Sequence, residues 1–195
     1  MKYMKILGLV AVAATALLAF LGVGTASATT LTNEAGEVVK TGSTVDFSIP
    51  SGKAAVLTET GGEPLDTCTT STVSGKTTNE GGTGVAVTGN VETLTWKSCT
   101  FPTETKTLAG LQVSGTGERN VSATGTFEVT INTILFGSCI YGVTKETPLG
   151  TLANGTFTAN AVAEKFSGSS LACPATSLWT ATYTATEPKE VKVDA

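Results

Sequence analysis

The sequence predicts an all-β fold, an antiparallel β-sandwich or barrel-like structure with two disulfides, preceded by a helical signal peptide. Three observations predict it. Roughly one residue in five is Thr, and 22 residues are Gly; Thr is β-branched and suits a pleated strand with one wet face. Apolar residues recur at every second position in segment after segment, the period of a half-buried strand. Four cysteines stand far apart in a chain without histidine, which fits disulfides better than a metal site.

In chain order, the first element is a leader. Lys2 and Lys5 form a short positive region, and Ile6 to Val23 is an almost unbroken apolar run. Ala26-Ser27-Ala28 then supplies the small residues a signal peptidase needs. Residues 1–28 are therefore read as a signal peptide, and residues 29–195 as one β-rich domain that works outside the cytoplasm. The apolar run is short for a bilayer span and is diluted by Gly8, Thr15, Gly22 and Gly24, so cleavage is expected over retention. No cysteine flanks the cleavage site and the tail from Glu187 to Ala195 is charged, so no transmembrane anchor is expected after cleavage. Loss of Lys2 and Lys5 lowers the formal net charge of -4 by two, to -6. An acidic chain whose one arginine is Arg119 has no basic surface for nucleic acid.

The strands come next. Val45, Phe47 and Ile49 alternate with Thr44, Asp46 and Ser48, and Val85, Val87 and Val91 alternate with Ala86, Thr88 and Asn90. Near Glu92 and Thr93 the apolar register slips to Leu94 and Trp96, the signature of a β-bulge. The clearest run is Val121 to Ile131, with Val121, Ala123, Phe127, Val129 and Ile131 on one face. Phe157, Ala159, Ala161 and Ala163 repeat the pattern, as do Trp179, Ala181, Tyr183 and Ala185. Each strand is expected to bury that face and to show Thr to water. Gly61-Gly62, Gly81-Gly82, Gly115-Thr116-Gly117 and Asn154-Gly155 mark turns.

Cys68, Cys99, Cys139 and Cys173 allow three connectivities, among which spacing does not choose. A faint internal echo points to one of them. Val87-Thr88-Gly89-Asn90-Val91 follows Cys68 much as Phe157-Thr158-Ala159-Asn160-Ala161 follows Cys139, and each segment closes on a second cysteine. Two related units, stapled as Cys68–Cys99 and Cys139–Cys173, are expected.

Without histidine, Ser-His-Asp and Cys-His catalysis is excluded, and disulfide cysteines offer no thiolate nucleophile. Gly75-Lys76-Thr77 lacks the upstream Gly of a phosphate loop, where Thr70 stands instead. Leu65-Asp66-Thr67 has Cys68 where an aspartic protease needs Gly, and no second copy. No calcium-binding loop pattern occurs, and no cofactor is expected. Scattered acids, among them Glu59, Glu63, Asp66, Glu80, Glu92, Glu104 and Glu118, leave a carboxylate-only hydrolase as a remaining enzyme reading. Trp179 and Tyr183 fall on an apolar strand face and are expected in the core. Trp96 and Tyr141 are the candidates for stacking on a ligand. Asn120-Val121-Ser122 and Asn154-Gly155-Thr156 match the glycosylation sequon, which matters only in a host that glycosylates.

Cys173-Pro174-Ala175-Thr176 followed by Trp179-Thr180-Ala181-Thr182-Tyr183-Thr184, and Cys68 with Val73-Ser74-Gly75 and Val87-Thr88-Gly89 ahead of Cys99, resemble uncharacterised small secreted Thr/Gly-rich proteins of actinobacteria. The resemblance implies an exported β-rich protein and brings no functional residues with it. The expected function is a secreted, non-enzymatic protein with a structural or adhesive role. Its partner would be a cell-envelope polymer or a second copy of itself. The alternative is a binding module for carbohydrate or a small apolar ligand, using Trp96, Tyr141 or a cavity between sheets.

Overall fold

A computed structural model of the protein describes residues 28–59, 62–107, 112–115, 120–124, 127–143 and 147–194. The expected signal peptide up to residue 27 and the turn residues 116–117 lie outside the described residues. Among the described residues every regular element is a strand. Three short strands, β1 (Ala28–Thr32), β2 (Thr44–Ser48) and β3 (Ala55–Glu59), lead into the long β4 (Pro64–Thr77). A two-residue β5 (Gly82–Thr83) precedes a second long strand, β6 (Val87–Cys99). Shorter strands follow: β7 (Thr103–Thr107), β8 (Gln112–Gly115), β9 (Asn120–Thr124), β10 (Phe127–Thr133), β11 (Gly137–Val143) and β12 (Thr147–Ala153). The long β13 (Thr156–Lys165) and β14 (Thr176–Glu187) and a short β15 (Lys192–Asp194) complete the chain.

Among the described residues the ladders are all antiparallel, and at one end they close on themselves. Strands β4 and β6 pair along their length, and so do β13 and β14. Each of these four strands has two shorter partners in succession on its other edge. At one end the ring runs β2–β4–β6–β8–β9–β12–β13–β14 and back to β2. At the other end β3 replaces β2, and β7, β10 and β11 replace β8, β9 and β12. There β7 lies beside β6, where the Thr105 hydroxyl donates to the Leu94 carbonyl at 2.7 Å. The fold is therefore a barrel-like antiparallel closure of two tiers with sandwich-like facing walls. Ladder closure at the first end removes the exposed edges that an open sheet would leave there; at the other end β7 meets β6 without a backbone ladder.

Period-two patterning places the core. Phe157, Ala159, Ala161 and Ala163 on β13 point inward, as do Trp179, Ala181, Tyr183 and Ala185 on β14. Apolar residues face in and Thr faces out, the reverse of a membrane-spanning barrel. No helix among the described residues is long and apolar enough to cross a membrane. The predicted bulge is present: Ser74 faces Thr93 while Gly75 faces Val91, so Glu92 is the extra residue. A Cβ at Gly75 would lie 2.3 Å from the Asn90 carbonyl oxygen, so the close approach of β4 to β6 beside the bulge requires glycine. Asn154 and Gly155 both have positive φ, 47° and 71°, as a tight hairpin turn with right-handed twist demands.

Two expectations are corrected. The run Val121 to Ile131 forms two strands, β9 and β10, which belong to different tiers. Both face one core, so the alternation survives the break. Val85 is half exposed and precedes β6; it lies in a loop organised by Asn79, whose side chain accepts from Gly81 N and Thr88 N and donates to the Ala86 carbonyl.

The cysteines pair as Cys68–Cys99 and Cys139–Cys173. The first bond joins facing residues of β4 and β6. The second ties β11 to the segment that leads into β14. Two disulfides fit an oxidising compartment.

Candidate functional site

The β2/β8/β9/β12 end of the barrel is lined by small side chains and is not filled. Val45, Phe47, Val73, Val87, Val91, Val121, Ala123, Leu149 and Leu152 face a shared space with Leu94, Phe127, Val143, Phe157 and Trp179. The result is a cavity of about 150 Å³. An eight-stranded ring is just wide enough for its side chains to fill it or to enclose one small ligand. Many inward positions at this end are short, Val45, Val73, Val87, Val91, Val121 and Ala123, and together with the larger Phe47, Leu149 and Leu152 they leave volume over.

The cavity has a lid and a floor. The lid is a separate small sheet in which β1 pairs with β15 and β5. Leu31 and Val193 on it turn into the cavity, and the Thr32 hydroxyl donates to the Asp194 carboxylate across the β1–β15 pair. The floor is a set of touching rings. Trp179 lies 6.2 Å from Trp96, 6.3 Å from Phe127 and 6.5 Å from Phe157, measured between ring centres. Phe157 stacks on Tyr183 at 6.1 Å and meets Phe47 edge-on at 6.3 Å.

Beneath these rings lies a buried polar point. The Tyr183 and Ser71 hydroxyls are 2.8 Å apart, and both residues are almost fully buried. The indole N–H groups of Trp96 and Trp179 turn toward the Tyr183 oxygen closely enough to favour charge there. Neither reaches full hydrogen-bonding geometry. Burial outweighs these contacts and pushes the Tyr183 hydroxyl up from 10.0 to about 12. The Tyr141 hydroxyl is also raised to about 12, by burial first and by the Glu59 carboxylate second; it donates to the Pro174 carbonyl at 3.1 Å.

These shifts give a prediction for alkaline solution. Below pH 10 both tyrosines are neutral whether the chain is folded or unfolded, and the stability tied to the neutral form is fully present. Between pH 10 and 12 the unfolded chain ionises first and that stability is lost, about 3 kcal/mol for Tyr183 alone. In the protein from residue 29 onward, ultraviolet absorbance should show little tyrosinate at pH 11, and full ionisation should coincide with unfolding. Free titration near pH 10 in a folded chain would show that the hydroxyls are not held this way.

The two sequence candidates occupy the core. Trp96 is 4% exposed and Tyr141 0%, so neither presents a face to a ligand arriving from solvent. The alternation that continues past the bulge turns Trp96 inward, and the β10–β11 pairing encloses Tyr141. They are not brought together: Trp96 supports the cavity floor from below, and Tyr141 packs near Pro174. The cavity itself was foreseen only as a general possibility between sheets.

Other candidate chemistry resolves into structure. Asp66 is 2% exposed and accepts from Thr67 N at 2.8 Å, from Phe101 N at 3.2 Å and from the Thr103 hydroxyl. It pins the turn between β6 and β7. Asp66, Cys68 and Cys99 are the one grouping of metal-ligand types found among the described residues, and both sulfurs are committed to the disulfide. Among the described residues no carboxylate lines the cavity. Comparison with protein-family models, with curated proteins and with solved structures finds no match.

Proposed function

We propose that this protein is an extracellular, non-catalytic binding module that holds a small apolar molecule inside its barrel. The observation that carries this reading is the cavity of about 150 Å³, whose inner surface is almost entirely apolar although Lys76, Thr77, Thr88 and Asn90 also border it, over an aromatic floor. A cavity of that size lined by aliphatic and aromatic side chains stays dry and accepts benzene or xenon. Burial of apolar ligand surface is then the main driving force. The exported setting follows from the leader and agrees with the two disulfides. A carbohydrate ligand is disfavoured, because no exposed Trp or Tyr platform exists among the described residues.

Thermal unfolding with benzene or xenon tests the reading. At ten times the dissociation constant, a ligand that binds only the folded state adds about 1.4 kcal/mol. For a chain of this size that raises the Tm by roughly 3–6 °C. Ala123→Leu adds bulk from a residue on the cavity wall and should abolish the ligand response. If neither probe moves the wild-type Tm, the cavity is not a binding site.

A further inference from the structure

Opposite the lid, two loops carry large apolar side chains into solvent. Ile134 and Leu135 lie in the β10–β11 turn and are 90% and 85% exposed; Leu171, between β13 and β14, is 98% exposed. We infer that this end seats itself in the interface of a neutral lipid bilayer, as a weak and reversible contact.

The two loops are fixed side by side. Ser170 N donates to the Ser138 carbonyl at 2.9 Å and Phe166 N to the Ile140 carbonyl at 2.8 Å. The Ser169 hydroxyl accepts from Ile140 N at 2.9 Å and donates to the Ile140 carbonyl at 3.1 Å. The Cys139–Cys173 bond locks the pair. The side chains are thus displayed on a rigid support, and little conformational freedom is lost on contact.

Charge and area select the occupant. Residues 131–140 and 166–176 contain no charged side chain, whereas the chain as a whole is acidic. Lys165, at the end of β13, donates to the Cys173 carbonyl at 3.0 Å. Glu59 ends β3, where it faces Ser177, and Glu63 follows just before β4. An anionic membrane would be repelled there, and a zwitterionic one would not. A second copy of the chain is a poorer fit. Three aliphatic side chains offer roughly 100 Å² of apolar surface each, well short of the ~800 Å² per partner of a stable protein interface. A bilayer needs no complementary groove and accepts isolated protruding side chains. Ser and Thr around them suit the headgroup level. Such an anchor resembles one acyl chain in strength, reversible and marginal by itself.

Flotation with phosphatidylcholine vesicles tests the inference, using the chain from residue 29 and the triple variant Ile134→Ser, Leu135→Ser, Leu171→Ser. Wild type should co-float at millimolar lipid, insensitively to salt, and the triple variant should partition at least tenfold less. Its Tm should match wild type, since all three side chains are at least 85% exposed. Absence of wild-type flotation overturns the inference, as does equal flotation of the variant. Binding to phosphatidylglycerol vesicles alone, lost in salt, would also overturn it. So would self-association in sedimentation that the triple variant abolishes, since that outcome assigns the patch to a second copy.

Discussion

Replacing all four cysteines by Ser is expected to leave the chain unfolded, or close to its midpoint, at room temperature. The bonds span 31 and 34 residues. In the chain-entropy account each stabilises by about 3–4 kcal/mol. Together that is comparable to the whole stability of a typical domain, ~5–15 kcal/mol. The two should differ in kind. Cys68 and Cys99 face each other in a ladder that continues on to Thr77 and Gly89, so β4 and β6 remain paired without the bond. Cys173 leaves the 166–175 segment held by the few hydrogen bonds to Ser138 and Ile140. Its loss should therefore also free that loop locally. Guanidinium unfolding of the two single-bridge variants and the bridge-free chain checks the sizes, and amide exchange at residues 166–173 checks the local effect. A bridge-free protein within 1 kcal/mol of wild type would contradict the entropic reading.

Tyr183→Phe is expected to destabilise by about 2–3 kcal/mol, although it removes one oxygen and no carbon. The Ser71 hydroxyl, 2.8 Å from that oxygen and 1% exposed, would be left buried without a partner. The Trp96 and Trp179 N–H groups would lose the acceptor toward which they turn. Removing both members of the pair, with Tyr183→Phe and Ser71→Ala together, should cost less than the sum of the two single changes. A buried polar group is costly mainly when its partner alone is removed. Urea unfolding of the four proteins measures this coupling, and strict additivity would show that the hydroxyls do not act as a pair. Because this point lies under the cavity floor, the single variant should also weaken benzene binding by loosening Trp179.

Much of the fold was legible because it rests on local period. Val91 to Leu94 shows the bulge, since the apolar residues change parity there and only an extra residue in the strand does that. Asn154-Gly155 shows its turn, since few other pairs tolerate two positive φ angles. The inward faces of β13 and β14 are plain in alternating Ala and aromatic residues. The division of Val121 to Ile131 was not legible. Both halves keep the same parity, and what separates them is which strands they meet.

The sequence by itself determined that this is a Thr-faced, antiparallel β protein with widely spaced cysteines, because strand period and residue chemistry are local properties. Only the tertiary structure decided that the strands close into two stacked rings with sandwich-like walls. Only it decided that Trp96 and Tyr141 are core, that small side chains gather at one end to leave a cavity, and that three exposed apolar side chains gather at the other. Period says which face a residue takes. Cavity and patch depend on which residues from distant strands share one level of the barrel, and that follows from register and closure, to which each strand's own pattern is blind.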